Sequence, residues 1–386
     1  MEIYLDNSST TKPYREVVDS IVKSLEIDYA NPSAAHSKGV AVEREIKKIR
    51  HTIARSIGAK ENEIIFTSGG TECNNTIIRG IASINKKRKK NHIISTVIEH
   101  PSVLNTLKEL EGEGFEVTYL GVDQNGLINI DELKSAVKPS TCLVSVMHVN
   151  NEIGSVQPVD EIGKYLKKLD EKVYLHVDAI QSFGKIDFKP SKYGIDLMSV
   201  SGHKFHGPKG IGFMYVNQDS RLVPLLYGGG QESGIRSGTE NVPGIYGLGT
   251  AVEVLYSDLR GNIAKINSLK ELLKFEIVNN IEDVKVNSPE NGVCHVLNIS
   301  FNGIKGEVLL HFLEKKRVYV STGSACSSKK KGSHVLNAIG LSNEEIEGTI
   351  RFSLSDLNTE EEILEAAKIV ADCVGELRSI MKSQHV

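Results

Sequence analysis

Seven short apolar segments rich in β-branched residues, EIIFTSG, HIISTVIEH, FEVTYLG, TCLVSVMHVN, KVYLHVDAIQ, IDLMSVSG and GIGFMYVN, recur through the first two thirds of the chain. Helical patterns separate them. Continuous apolar runs mark strands buried on both faces, and helical crossovers join such strands in parallel, so the alternation predicts a mostly parallel α/β sheet. With 386 residues the chain can bury a large core and carry an appendage. The pattern turns helical between about 241 and 280, then resumes as strand, helix, strand, helix from VCHVLNISFNG, which predicts a smaller α+β domain. The expected division is a large domain over 15–255 and a small one built from 1–14 and 256–386. A last helix is expected from TEEE to about Met381, with Thr359 capping its first turn and Glu362 reaching back.

Charge and cysteine usage narrow the partners. The 49 acidic and 46 basic side chains leave a formal charge of -3, which is no broad footprint for nucleic acid or an anionic membrane. No run of about 18 apolar residues is present, and the opening MEIYLDNSSTT is not a basic start followed by an apolar stretch. The five cysteines, Cys73, Cys142, Cys294, Cys326 and Cys373, contain no C-x-x-C pair, so neither a disulfide framework nor a zinc knuckle is suggested. These features predict a cytoplasmic protein that acts on small molecules, with no resident metal.

Ligands of open α/β sheets bind beyond the carboxyl ends of the strands, and four loops there are unusual. After EIIFTS comes GGTECNN, in which Gly69 and Gly70 let the backbone approach an anion and Thr71 sits where a helix would begin. It matches neither G-x-x-x-x-G-K-[ST] nor G-x-G-x-x-G, which argues against nucleoside triphosphate and dinucleotide sites. VYLHVDAIQS places Asp178 at the end of an apolar strand, where a carboxylate needs a partner: a structural cation, or a protonated heteroaromatic nitrogen. VIEHPS ends in His100, whose ring could cap the next helix or stack on a flat ligand. SGHKFHGPKG sets Lys204 after a strand, with Ser201 and His203 before it, and a lysine in a partly dry pocket suits Schiff-base chemistry. An anion cradle, a carboxylate, a stacking ring and a nucleophilic amine are together what pyridoxal 5'-phosphate requires.

The motifs GHKFHGPKG, VDAIQS, HVNNEIG, GGGQESGIRSGTEN and GSACSS, in this order from YLDNSSTT to RFSLS, closely resemble the cysteine desulfurases of the NifS and IscS type. These are pyridoxal-phosphate enzymes of the class V aminotransferase family. The resemblance implies an α/β fold of the PLP-dependent transferase fold type I, with a seven-stranded large-domain sheet. It implies that Lys204 carries the cofactor and that Asp178 faces its ring nitrogen. Gln181 then meets the phenolic oxygen, and His100 is the stacking ring, counted with Lys204 and Cys326 among the catalytic residues. Gly70, Thr71, Ser201 and His203 fall at the phosphate, and Thr239 of RSGT is expected from a neighbouring subunit of a homodimer. Asn151 matches a cofactor or substrate contact, and Arg351 the clamp on the carboxylate of L-cysteine.

The thiol of GSACSS is Cys326. Small residues surround it, Gly323, Ser324, Ala325, Ser327 and Ser328, and no apolar periodicity buries it, which fits an accessible nucleophile. Cys142 and Cys294 sit in strand patterns and Cys373 on the apolar face of the last helix. The implied reaction converts cysteine to alanine and leaves the sulfur as a persulfide on Cys326. A sulfur-acceptor protein, an iron-sulfur scaffold or a tRNA-thiolating enzyme, would then receive it. Selenocysteine lyase and class V aminotransferase are the alternatives on the same fold. Cys73 stands in TEC where relatives often have serine, and KKKGSH makes the loop after Cys326 more basic than in many of them.

Overall fold

The computed structural model describes residues 2–322 and 332–383. The chain opens with a two-residue strand, β1 (Ile3–Tyr4), and each of the seven segments above then forms a strand: β2 (Ile64–Thr67), β3 (His92–Thr96), β4 (Glu116–Leu120), β5 (Thr141–Met147), β6 (Tyr174–Asp178), β7 (Leu197–Ser201) and β8 (Gly212–Val216). They make one sheet in the order β2-β8-β7-β6-β5-β3-β4. Only β8 runs against its neighbours, β2 and β7. The other pairs are parallel, so β2 points the same way as β3 to β7 and all these strands deliver their carboxyl ends to one edge.

The β-branched and aliphatic residues explain why these segments pair and stay dry. On one face Val146, Val177, Val200 and Phe213 pack with Ile49 and Ile53 of helix Ser37–Ile57 and with Leu248 and Val252 of helix Val242–Ser257. On the other, Ile65, Ile93, Leu143 and Met214 meet Ile77 and Ile81 of helix Gly70–Lys86 and Leu107 of helix Pro101–Gly112. Burying each such side chain contributes about 1.5–3 kcal/mol.

A second core lies beside the sheet. Strands β9 (Val284–Val286), β10 (Val296–Phe301) and β12 (Thr349–Ser353) form an antiparallel sheet in the order β12-β10-β9, while β1 pairs in parallel with β11 (Val318–Tyr319). Ile3, Leu5, Phe301 and Phe352 pack with Ile266 and Leu273 of helix Leu259–Asn280 and with Ile363 and Val370 of helix Glu360–Ser383. The latter helix has the expected cap: Glu362 N–H donates to Thr359 Oγ1 and Thr359 N–H to Glu362 Oε2, both at 3.2 Å. Strand β9 has no periodic signature, being three residues long with no fully buried side chain.

The two cores meet where the loop after β7 turns back. His206 adopts a left-handed φ of 65°, unusual for a residue with a Cβ, and its surroundings hold it there. Its ring stacks on Tyr14 at 4.3 Å, Nδ1 donates to the Lys12 carbonyl at 2.8 Å, and Nε2 lies 3.0 Å from Asp356 Oδ1. Tyr14 donates its hydroxyl to Asp356 Oδ2 at 2.9 Å. Burial alone would raise the Asp356 carboxyl, but His206, Lys185 and Tyr14 together hold it down at about 2. A depressed folded value means stabilisation that is fully present above the unfolded value of 3.8 and is lost as pH falls from there toward about 2. Asp356→Asn is therefore expected to lower stability at neutral pH by about 2 kcal/mol and to flatten the acid limb of the stability curve, as read from urea midpoints across that range.

Candidate active site

The carboxyl ends of the parallel strands open onto a cavity of about 450 Å³. Ten of the residues singled out above line it: Gly70, Thr71, His100, Asn151, Asp178, Gln181, Ser201, His203, Lys204 and Arg351. Thr239 does not. It borders a separate hollow of its own chain with Gly238, Glu240 and Asn241. Cys326 lies outside the described residues. Of the other thiols, Cys73, Cys142, Cys294 and Cys373 are all buried. Cys73 Sγ sits 3.0 Å from Thr67 Oγ1 and 3.4 Å from the Phe213 carbonyl, so it fills core space behind the glycine turn.

At the turn after β2, Gly69 adopts φ 145°, a conformation open to glycine and costly for other residues. It starts the 17-residue helix Gly70–Lys86, whose first residues, Gly70 and Thr71, line the cavity and so bring the positive end of the helix dipole to it. A Cβ on Gly70 would fall 2.1 Å from Ile180 Cδ1, so the backbone there is pressed against the loop after β6. His203, on the 3-10 turn Gly202–Lys204, is pushed down to about 4 by burial and by Lys204 and Lys209. It is a neutral ring, with Nδ1 3.3 Å from Thr10 Oγ1.

Asp178 ends β6 with 5 % exposure. Oδ1 accepts the Ile180 N–H at 3.0 Å and Oδ2 the Asn74 amide at 2.8 Å. Burial pushes its carboxyl above the ordinary aspartate value, against those two donors and the nearby His100 and Lys204. The same Asn74 nitrogen reaches Ser102 Oγ at 2.9 Å, and that hydroxyl lies 2.8 Å from His100 Nδ1. His100 also caps helix Pro101–Gly112 by accepting the Ser102 N–H at 3.1 Å. The capping reading of this histidine therefore holds, and the same residue borders the cavity.

Lys204 Nζ donates to the carbonyls of Ser8 and Ser9 at 2.6 and 2.8 Å. Gln181 Nε2 donates to the same Ser8 carbonyl at 3.0 Å. Arg351, on β12 and 6 % exposed, gives Nη1 to the Asn151 carbonyl at 2.9 Å and Nη2 to Asp6 Oδ1 and Ser9 Oγ at 2.8 and 2.7 Å. Glu152 accepts the Ser333 hydroxyl at 2.5 Å, and burial, opposed by Ser333 and Arg351, raises it to about 7.

Residues 3–365 match the family described as Aminotransferase class-V. A cysteine desulfurase IscS of Methanosarcina thermophila is 43% identical over 380 residues, covering 98% of this chain and 93% of that protein. The chain belongs to the class-V aminotransferase family. A cysteine desulfurase of Trichormus azollae is likewise 43% identical, over 98% of this chain and 94% of its own length. Among solved structures, a NifS-like protein superposes with a TM-score of 0.92 at 38% identity, covering 97% of this chain and all of that one. SspA in complex with cysteine gives 0.82 at 38% identity, covering 93% of this chain and 100% of its own.

In this aminotransferase-family chain Ser8, Ser9, Glu152 and Ser333 also line the cavity and Asn74 bonds Asp178, and no motif singles out these five residues. The serines at 8 and 9 act through backbone carbonyls, which no residue type announces. Asn74 was legible in principle, as a polar residue one turn into an otherwise apolar helix face.

The raised Asp178 carboxyl has a thermodynamic sign. It keeps its proton in the folded protein at pH values where the unfolded chain has released it, so its charge opposes folding once pH exceeds the unfolded value. Asp178→Asn is expected to raise the melting temperature of the cofactor-free protein at neutral pH by about 1–3 °C, read by calorimetry. Asn74 Oδ1, unpartnered among the described residues, would accept the new amide once the Asn74 side chain flips.

Proposed function

We propose that this protein is a pyridoxal-phosphate-dependent cysteine desulfurase, and the observation that carries the reading is the cavity in which Lys204, Asp178, Gln181, His100 and Arg351 converge. The relatives named above and the cysteine complex of SspA support the same substrate.

The donor set fits the cofactor. The glycine turn before helix Gly70–Lys86, with Ser201 and the neutral His203, suits a phosphate. Among the described residues the buried Asp178 carboxylate is hydrogen-bonded by two neutral N–H donors alone, so a protonated ring nitrogen would satisfy it. Gln181 offers an N–H to the phenolic oxygen, His100 an aromatic face, and Lys204 the amine for the aldehyde. When bound, pyridoxal phosphate supplies an electrophilic carbon for an amine and a ring that draws electrons from the amino-acid Cα.

The chain's own residues do the rest. Arg351 holds the substrate carboxylate, which fixes the Cα–H bond toward Lys204. With pyridoxal phosphate bound, Lys204 Nζ would be the base that takes the α-proton and the acid that hands a proton back to carbon. Asp178 stays ionised and keeps the ring nitrogen protonated. The thiolate of Cys326 attacks the substrate sulfur: an S–S bond forms, the C–S bond breaks with its electron pair going to carbon, and a proton completes alanine. The sulfur remains as a persulfide. In this reading the protein is a cytoplasmic homodimer, Thr239 completes the phosphate site of the neighbouring subunit, and an acceptor protein for cluster assembly or tRNA thiolation takes the sulfur.

Lys204→Ala should abolish both the visible absorbance of the cofactor-loaded protein and sulfide release from cysteine under reductant. Cys326→Ser should still give the spectral change on adding cysteine but release no sulfide; wild-type turnover in this variant would remove the thiol from the mechanism. Arg351→Gln should lower kcat/KM for cysteine by about 30–100-fold, chiefly through KM, as steady-state kinetics would show.

A further inference from the structure

Behind Gln181 stands His295, in the segment VCHVLN just before β10, and only 2 % exposed. Its contact with the site is through Nε2, 3.1 Å from Gln181 Oε1. The protons in this contact are fixed from the other end. Gln181 Nε2 lies 3.0 Å from the Ser8 carbonyl oxygen, which only accepts, so the carboxamide nitrogen faces Ser8 and its oxygen faces His295. That oxygen also only accepts. His295 Nε2 therefore carries a proton. Nδ1 has no partner among the described residues, a position a bare lone pair tolerates better than an N–H. Burial, then the nearby Lys185, Arg351, Lys270 and Lys204, keep the ring neutral by holding it well below the ordinary histidine value.

We propose that His295 is a positioning residue of this active site, whose single proton on Nε2 locks the Gln181 carboxamide with its nitrogen toward Ser8 and the cavity. What the cavity holds rests on the desulfurase reading. Gln181 has two N–H groups. One goes to the Ser8 carbonyl, which also accepts from Lys204 Nζ at 2.6 Å, and the other is left for the phenolic oxygen of pyridoxal phosphate. Flipping the amide would break the bonds to Ser8 and His295 together and set its oxygen against other acceptors. His295 thus makes the donor ready before the ligand arrives, although it touches neither cofactor nor substrate.

Two measurements test this. In cofactor-free protein labelled with nitrogen-15 histidine, long-range nitrogen–proton correlation spectra should show His295, assigned by its absence from His295→Gln, as the neutral Nε2–H tautomer from about pH 6 to about pH 8.5. An Nδ1–H tautomer, or an imidazolium in that range, overturns the proposal whether or not the protein takes up pyridoxal phosphate. In cofactor-loaded protein, His295→Leu should raise the pH midpoint of the visible band by about one unit, the scale of one lost hydrogen bond. His295→Gln, whose own N–H reaches the Gln181 oxygen, should restore it, and in a Gln181→Leu background the His295→Leu shift should vanish. A shift that persists in that background, or none in His295→Leu when Gln181→Leu moves the midpoint, overturns the proposal. A protein with the expected tautomer that binds no pyridoxal phosphate overturns the desulfurase reading alone.

Discussion

A carboxylate taken out of water at the end of an apolar strand is the constraint around which this molecule is arranged. Asp178 gains two neutral N–H donors, from Asn74 and Ile180, and these do not offset the loss of solvent, since its carboxyl remains raised. The parallel sheet creates the position. Six strands end at one edge, and the central ones are covered on both faces, so whatever stands at the tip of β6 is dry on all sides but the cavity. A fold built for stability alone would place an asparagine or an apolar residue there. The aspartate makes sense where a protonated ring nitrogen arrives to share the site.

The same edge is closed from above by the opening residues of the chain. Asn7 Nδ2 and Ser8 N–H bond the Ser353 carbonyl and hydroxyl at 2.9 and 2.8 Å, which fixes the strap to the second core. Thr11 bonds the His203 carbonyl through its N–H and hydroxyl at 2.9 and 3.0 Å, which fixes it to the first. Between these anchors the carbonyls of Ser8 and Ser9 face Lys204. The Lys204 amine is therefore oriented by a segment nearly 200 positions away in sequence, and the His206–Asp356–Tyr14 cluster ties the same turn from its other side.

Much of this was legible in the sequence because the sheet is buried on both faces. Such strands write themselves as uninterrupted β-branched runs, and the polar residues that break off those runs, Asp178, Ser201 and Lys204, stand out by contrast. The strands of the second core are another matter. β1 and β11 have two residues each and β9 three, too few for a period, and pairing rather than local preference holds them. Supporting groups were illegible for a related reason. His295 lies among apolar neighbours and reads as core, which it is, and its effect on Gln181 exists only through a fold that brings residues 114 positions apart to 3.1 Å. Thr239, which the resemblance assigns to a neighbouring subunit's site, borders a hollow of its own chain separate from the cavity.

An α-amino acid presents its amine and its carboxylate two bonds apart, so on the desulfurase reading Lys204, whose place the amine takes, and Arg351, which meets the carboxylate, must be held at a fixed spacing. Ser9 does this with one residue. Its carbonyl accepts from Lys204, while its hydroxyl accepts from Arg351 and donates to Asp6 Oδ1 at 2.8 Å. Asp6 holds the guanidinium in place without consuming it: Nε has no partner among the described residues, and the Asp6 side chain, 21% exposed, can exchange its contact for water as a substrate carboxylate comes in. Pre-pairing keeps a buried cation from standing uncompensated, and exchange of one carboxylate for another changes little in net charge. On the desulfurase reading, the energy of carboxylate binding then goes into placing the Cα–H bond rather than into ordering the arginine.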